Sequence, residues 1–148
     1  MIKFIPHAAA VCLVLATATA AHADVYTPQP GTAERGAILD SVRVMAGYDL
    51  SGPIEFTVSS LEVSGDRGFF MGTASRPGGV PIDITQTPLV TRDEIPVDFI
   101  DGASVQAFVM RAGDHWYVDA YAVGATDVWW MGPPFCAHYS AFLPAGAC

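Results

Sequence analysis

The sequence predicts an α+β domain in which one N-terminal helix packs on an antiparallel sheet. Apolar residues recur every three to four positions over residues 33–45, and from Pro53 onward apolar and polar residues alternate. Gly and Pro interrupt this second region every several residues, which is typical of a meander of short strands. The 148 residues suffice for one domain, and a hydrophobic fraction of 51% excludes a disordered chain.

The first 23 residues have the pattern of a Sec-type signal peptide. Lys3 precedes an apolar stretch, and Ala21-His22-Ala23 fits the small-x-small rule of signal peptidase. A buried N-terminal helix is the alternative, and the proline-rich segment 26–30 disfavours it. We therefore expect cleavage after Ala23, a mature domain over residues 24–148, and a periplasmic or extracellular destination. No apolar run reaches the roughly 18 residues that a membrane span needs.

The charge of the chain excludes some partners. The full chain has a formal charge of −8, and six Arg against fifteen acids would leave −9 after loss of the only lysine, Lys3. Such a surface repels phosphate backbones and anionic lipids. We expect no nucleic-acid partner, and no membrane attachment once the signal is removed.

Two cysteines remain after the expected cleavage. Cys136 and Cys148 form an even pair in an oxidising compartment, so a disulfide that ties down the C-terminal tail is the favoured interpretation. A redox-active or metal-binding thiol is the alternative. It would require a Cys-x-x-Cys spacing or neighbouring ligands, and only the nearby His138 hints at that.

The helix is predicted over residues 33–45. Thr32 is a suitable N-cap, Glu34 lies in the first turn, and Gly47 is a natural left-handed stop. Gly36 lowers the intrinsic helix propensity by about 1 kcal/mol relative to Ala, so tertiary packing must stabilise this helix.

The strands follow from Pro53 onward. Short strands are predicted at Ile54–Val58, Leu61–Val63, Phe69–Thr73 and, as an edge strand, Ile82–Thr85. The clearest hairpin pairs Ser104–Arg111 with His115–Val123 through a turn at Gly113. In the second strand of this hairpin, alternate side chains are expected to lie on opposite faces of the sheet. One face would carry Trp116, Val118 and Ala120, and the other would carry Tyr117, Asp119 and Tyr121.

Four blocks of the chain resemble a family of small exported bacterial proteins of unknown function. The blocks are Pro30 to Arg43, Gly65 to Phe70, His115 to Val118 and Thr126 to Trp130. The resemblance implies a helix on a curved antiparallel sheet, similar to cystatin-like or NTF2-like cones, and no established activity. The family's Gly-Asp-Trp-Ala-Phe block reads Gly-Asp-Arg-Gly-Phe here.

The segment Thr126 to Trp130 is the strongest candidate for a binding site. Asp127 is followed closely by Trp129 and Trp130, and a carboxylate beside two indoles suits a sugar, a peptide or a small cation. Tyr121 is expected to extend the aromatic surface. The alternative is structural, in which the indoles plug the open end of the sheet and Asp127 caps a turn.

Other chemical motifs are weaker. Asp114 and His115 have no partner nucleophile, so they are interpreted as exposed turn residues. The acidic stretch 92–102 lacks the ligand spacing of a calcium loop and is interpreted as a solvated connection. We therefore expect no metal, no cofactor and no catalytic residue.

Two classes of function remain open. We favour a non-catalytic module that binds a small ligand or a protein at the mouth of a concave sheet, and a homodimer through the outer sheet face is a companion hypothesis. The alternative is a small hydrolase or isomerase with Asp127 or Asp119 as general base. A carboxylate at the bottom of an apolar pocket would favour the enzyme.

Overall fold

The computed structural model describes residues 23–148 and confirms the α+β class. One long helix packs on an open sheet of four antiparallel strands in the order β1-β2-β3-β4. In chain order, the helices and strands are α1 (Ala33–Leu50), β1 (Glu55–Ser64), β2 (Arg67–Ser75), α2 (Pro88–Thr91), β3 (Ser104–Ala112), β4 (His115–Val123) and α3 (Phe135–Tyr139). The expected signal peptide lies outside the described residues, apart from Ala23.

Helix α1 begins where the sequence predicts and ends later. The Thr32 hydroxyl accepts a hydrogen bond from the Arg35 amide at 3.3 Å, which confirms the N-cap. The predicted stop at Gly47 is wrong, because the helix continues to Leu50. It ends at Ser51, whose φ is +55°, since this left-handed conformation breaks the run of helical hydrogen bonds.

Strand β1 is one element where two were predicted. It runs without interruption from Glu55 to Ser64 and pairs with β2 along its length. Between Val58 and Ser60 the register shifts by one residue, so Ser59 has no direct partner. The bulge absorbs the break in alternation that suggested two strands.

A second bulge corrects the predicted faces of β4. Phe108 pairs with Ala120 and Val109 pairs with Val118, which leaves Asp119 unpaired. The extra residue reverses the alternation beyond it. Ala120 therefore faces away from α1, and Tyr121 packs on the same side as α1, opposite to the expectation.

The main hydrophobic core lies between α1 and one face of the sheet. Ile38, Val42, Ala46 and Leu50 are fully buried at four-residue intervals along the helix. Against them pack inward-facing residues of every strand, among them Phe70 on β2. Burial of an Ile, Val, Leu or Phe side chain contributes about 1.5–3 kcal/mol, so this core holds the helix on the sheet.

The C-terminal segment covers the other face of the sheet. Phe69 and Phe108 project there from β2 and β3, and Tyr139 of α3 packs over them. We call these three residues, with the partly buried side chains packed against them, the second core. The disulfide between Cys136 and Cys148 closes this segment, with Cα atoms 5.5 Å apart. That separation lies within the usual range for a disulfide, so the predicted tail linkage is confirmed.

The connection between β2 and β3 contains no strand at Ile82–Thr85, so that prediction is wrong. Residues Ile84–Gln86 form a 3-10 turn that Asp83 caps by accepting from the Thr85 amide at 3.0 Å. The local Asx interaction competes with strand pairing, and Pro81 and Pro88 remove donors on either side.

The further expectation that the sheet curves into a cystatin-like or NTF2-like cone remains a prediction.

No helix within residues 23–148 is both long and apolar enough to cross a bilayer.

Candidate functional site

The predicted tryptophan pair is held by one amide on the sheet. The indole nitrogens of Trp129 and Trp130 both donate to Oε1 of Gln106, each at 3.1 Å. An amide oxygen has two lone pairs, so one side chain satisfies both indoles. Gln106 lies on β3, two residues before Phe108, and therefore shares its face of the sheet.

Aromatic contacts fix one of these indoles further. The Phe108 ring lies 5.6 Å from Trp129 in an edge-on arrangement, and Phe135 lies 5.3 Å from Trp129, also edge-on. The Phe108 ring also stacks on Tyr139, at 4.2 Å. Such aromatic pairs contribute about 0.5–1.5 kcal/mol beyond the hydrophobic energy of the area they bury. Both tryptophans pack against the buried residues of the second core, and both remain partly exposed to solvent.

The residues beside the tryptophans face solvent. Asp127 is exposed, and Val128 and Met131 expose 51% and 53% of their surface. Residues 127–131, which we call the Trp loop, thus combine a carboxylate and two exposed apolar side chains with two partly exposed indoles. The two indoles therefore pack against the sheet and remain partly accessible, whereas the Asp127 carboxylate makes no hydrogen bond within residues 23–148 and caps no turn there.

Tyr121 is not part of this surface. Because of the bulge at Asp119, Tyr121 packs on the α1 side of the sheet, whereas Trp129 and Trp130 lie on the other side. Burial, and then the neighbouring Asp49 carboxylate, raise the pKa of Tyr121 to about 12.

Asp49 is a buried carboxylate that sequence analysis missed. It lies near the end of α1, is 8% exposed, and accepts from Arg92 Nη2 at 2.8 Å. The same guanidinium donates to the Tyr48 carbonyl at 3.2 Å and lies 4.1 Å from the Tyr48 ring centroid. Asp49 is therefore neutralised by its partner, and this cluster fastens the end of α1 to the β2–β3 connection.

The acids proposed for catalysis are not enclosed. Asp127 lies on the surface, and Asp119 is exposed at the bulge, where it accepts from the Tyr139 hydroxyl at 2.8 Å. Asp114 in the β3–β4 turn and His115 at the start of β4 are both exposed, as expected. Within residues 23–148, no three His, Cys, Asp or Glu side chains are grouped closely enough to hold a metal ion.

Two of the clefts in the described part of the chain are large enough for a small molecule. One, of about 300 Å³, lies between the start of α1 and the β3–β4 turn and includes Arg111 and Trp116. The other, of about 320 Å³, is lined by Thr57, Thr73 and neighbouring residues of the β2–β3 connection. The Trp loop contributes to neither cleft.

Two residues carried weak signals in the sequence: Gln106, which holds the indoles of the Trp loop, and Arg111, which lines the first cleft. Gln106 is an amide within an apolar strand, and its spacing to Phe108 predicts that both lie on one face. The hydrogen bonds from the two indoles to Gln106 form only when the segment after β4 folds back over β3. No local sequence pattern predicts that arrangement. Arg111 sits near a turn, where an arginine is ordinarily solvated.

Comparison of the chain with known proteins gave no matching family model, no similar curated protein and no similar solved structure.

Proposed function

We propose that the chain is an exported, non-catalytic interaction module that contacts a partner protein through the Trp loop. One observation carries this proposal: exposed Asp127, Val128 and Met131 surround two indoles that Gln106 holds in place. Exposed apolar and aromatic side chains on a fixed base are typical of protein contact surfaces.

The shape of the Trp loop favours a macromolecule over an enclosed small ligand. Small-molecule sites are concave and bury most of their ligand. The Trp loop lines neither of the clefts described above, and its Asp127, Val128 and Met131 side chains are exposed, so a ligand there would keep much of its surface in water. A protein partner with an apolar patch and a cation opposite Asp127 would bury Val128 and Met131 and pair the carboxylate. A second copy of the chain is the homodimer version of this proposal.

Export is supported by two independent features. Residues 1–23 have the signal pattern, and the Cys136–Cys148 disulfide suits an oxidising compartment such as the periplasm or the cell exterior. The hydrolase or isomerase alternative has no comparable support, because Asp119 and Asp127 are exposed and lie outside both clefts.

The proposal is tested by affinity capture from the exported proteins of the source organism, with quantitative mass spectrometry. The test variant is Met131→Asp, and Val44→Asp on the exposed face of α1 is the matched control, since Val44 is 73% exposed. We expect one protein, or the chain itself, to bind the unaltered chain and the control, and to lose about tenfold or more in affinity with Met131→Asp when measured with both components purified. Equal affinity for both variants, or a monomer that captures nothing, would refute the proposal.

A further inference from the structure

The cleft between α1 and the β3–β4 turn contains an arginine without a protein partner. The chain has six arginines, all within the described residues. Five of them donate from their guanidinium groups to carbonyl or carboxylate oxygens: Arg35, Arg43, Arg67, Arg76 and Arg92. The Arg111 guanidinium has no hydrogen bond or ion pair within residues 23–148. The Arg111 side chain is exposed and lies 5.7 Å from the ring centroid of Trp116, within the range of a cation–π contact.

Two carboxylates line the same cleft without neutralising Arg111. Glu34 lies in the first turn of α1 and accepts from the Tyr26 hydroxyl at 2.9 Å, and Asp114 is exposed in the turn opposite. Neither acid approaches Arg111 closely enough to form an ion pair. Burial, and then the contact with Glu34, raise the pKa of Tyr26, and the nearby positive charge of Arg111 opposes that rise. Opposite charges therefore face the same space and are held apart.

The rest of the cleft is apolar and small. Ala33 and Ala37 of α1 form one wall and Trp116 another, and the volume is about 300 Å³. Volumes of this size are at the lower end of the range for small-molecule sites. A guanidinium binds a carboxylate with two parallel hydrogen bonds, and a carboxylate accepts from an ammonium group.

We propose that this cleft binds a small zwitterion, an α-amino acid with an apolar side chain. Its carboxylate pairs with Arg111, its ammonium group pairs with Asp114 and Glu34, and its side chain contacts Trp116 and Ala37. This site is separate from the Trp loop, because the cleft lies at the turn that begins β4, whereas the Trp loop follows the end of β4.

Calorimetry on the purified, disulfide-bonded protein tests the proposal with three matched probes. L-leucine carries both charges, leucinamide lacks the carboxylate, and isocaproate lacks the ammonium group. We expect leucine to bind about tenfold or more tightly than either analogue, because each charged hydrogen-bonded contact contributes at least a factor of that size. Leucine should also perturb the NMR signals of Trp116 and Gly113.

The matched variants are Arg111→Gln and Arg43→Gln. Arg43 is paired with Asp40 on α1 and lies outside the cleft, so its variant should bind leucine normally. Arg111→Gln should weaken leucine binding about tenfold or more and change the thermal midpoint little, since its guanidinium makes no hydrogen bond or ion pair and loses only the exposed cation–π contact with Trp116. Three results would each overturn the proposal: no binding of leucine at about 10 mM, far above the Kd expected of a functional small-ligand site; equal binding of isocaproate; or equal binding by Arg111→Gln. None of these results bears on the Trp loop, whose partner is tested separately.

Discussion

The Tyr139 hydroxyl donates a 2.8 Å hydrogen bond to Oδ2 of Asp119. Asp119 is the residue that the β4 bulge leaves unpaired, and Tyr139 is only 1% exposed. At the bulge, the Asp119 carboxylate therefore faces the C-terminal segment, where the buried Tyr139 side chain donates to it. This contact joins the C-terminal segment to the sheet at a point where the strand ladder is interrupted.

Removal of that hydroxyl should weaken the attachment of the tail. Tyr139→Phe keeps the aromatic packing on Phe108 and loses one hydrogen bond to a charged group, which should lower the free energy of unfolding by about 1–2 kcal/mol. Tyr117→Phe is the control, because Tyr117 is half exposed and its hydroxyl has no hydrogen bond within the described residues. Urea denaturation measures both, and equal midpoints for the two variants would show that the contact does not stabilise the fold.

Two tyrosines should make the protein sensitive to alkali. Burial, and then Asp49, raise the pKa of Tyr121 to about 12, and burial, followed by the Asp119 contact, raises the pKa of Tyr139 further. In the unfolded chain both titrate near 10. The folded state therefore holds protons that the unfolded state releases above pH 10, so this stability is complete below pH 10 and falls as the pH rises towards 12.

The expected loss of folding stability at alkaline pH can be assigned to Tyr121 and Tyr139 by substitution. In denaturant titrations from pH 8 to about pH 11, below the folded pKa values, Tyr121→Phe and Tyr139→Phe should each flatten the decline in stability. Tyr117→Phe should retain the slope of the unaltered chain. A stability that stays constant up to about pH 11 in the unaltered chain would contradict the raised pKa values.

The disulfide should stabilise the second core. Cys136 and Cys148 are separated by 12 residues, and closure of a loop of that size contributes about 3 kcal/mol in the chain-entropy model. Cys136→Ser with Cys148→Ser should lower the thermal midpoint and increase the exposure of Trp129 and Trp130, seen as red-shifted fluorescence. If calorimetry gives the same midpoint with and without the linkage, the tail is held by its aromatic contacts alone.

The shared amide beneath the tryptophans should be sensitive to substitution. Gln106→Leu leaves both indole N–H groups without their acceptor and should cost about 1–3 kcal/mol of folding stability. Gln106→Glu retains an acceptor oxygen and serves as the control. Denaturation followed by tryptophan fluorescence distinguishes them, and a leucine variant as stable as the glutamate variant would refute the role of Gln106.

Two glycines should respond in opposite directions to the same substitution. A Cβ on Gly68 would lie 2.9 Å from both the Glu62 carbonyl oxygen and Val109 Cγ2, so Gly68→Ala should destabilise the sheet by about 1–3 kcal/mol. A Cβ on Gly36 meets nothing within 4 Å, and Gly36→Ala should stabilise α1 by about 0.5–1 kcal/mol. Thermal melts of the two variants that shift in the same direction would contradict this packing.

Local patterns predict the elements of this fold better than their ends and faces. Thr32 carries its own capping oxygen, so the start of α1 is evident. The end of α1 is not, because Gly47 permits a stop without requiring one, and burial of Leu50 extends the helix. The faces of β4 are predictable up to Val118. Beyond Val118, the bulge at Asp119 reverses the faces, and Asp119 there accepts a hydrogen bond from Tyr139, 20 residues away in the chain.

The same distinction applies to the candidate site. Trp129 and Trp130 stand out by composition, and the structure brings them together. Tyr121 was expected to join them and does not, because the bulge at Asp119 turns it to the other face of the sheet. Gln106 completes the arrangement, and only the folded tail places it beneath the indoles.

Export to an oxidising compartment determines the intact mass of the native protein after treatment with an alkylating reagent. We expect a chain that begins at Asp24 and carries no alkyl group on Cys136 or Cys148. A chain that still begins at Met1, or one that carries alkyl groups on both of those cysteines, would contradict it.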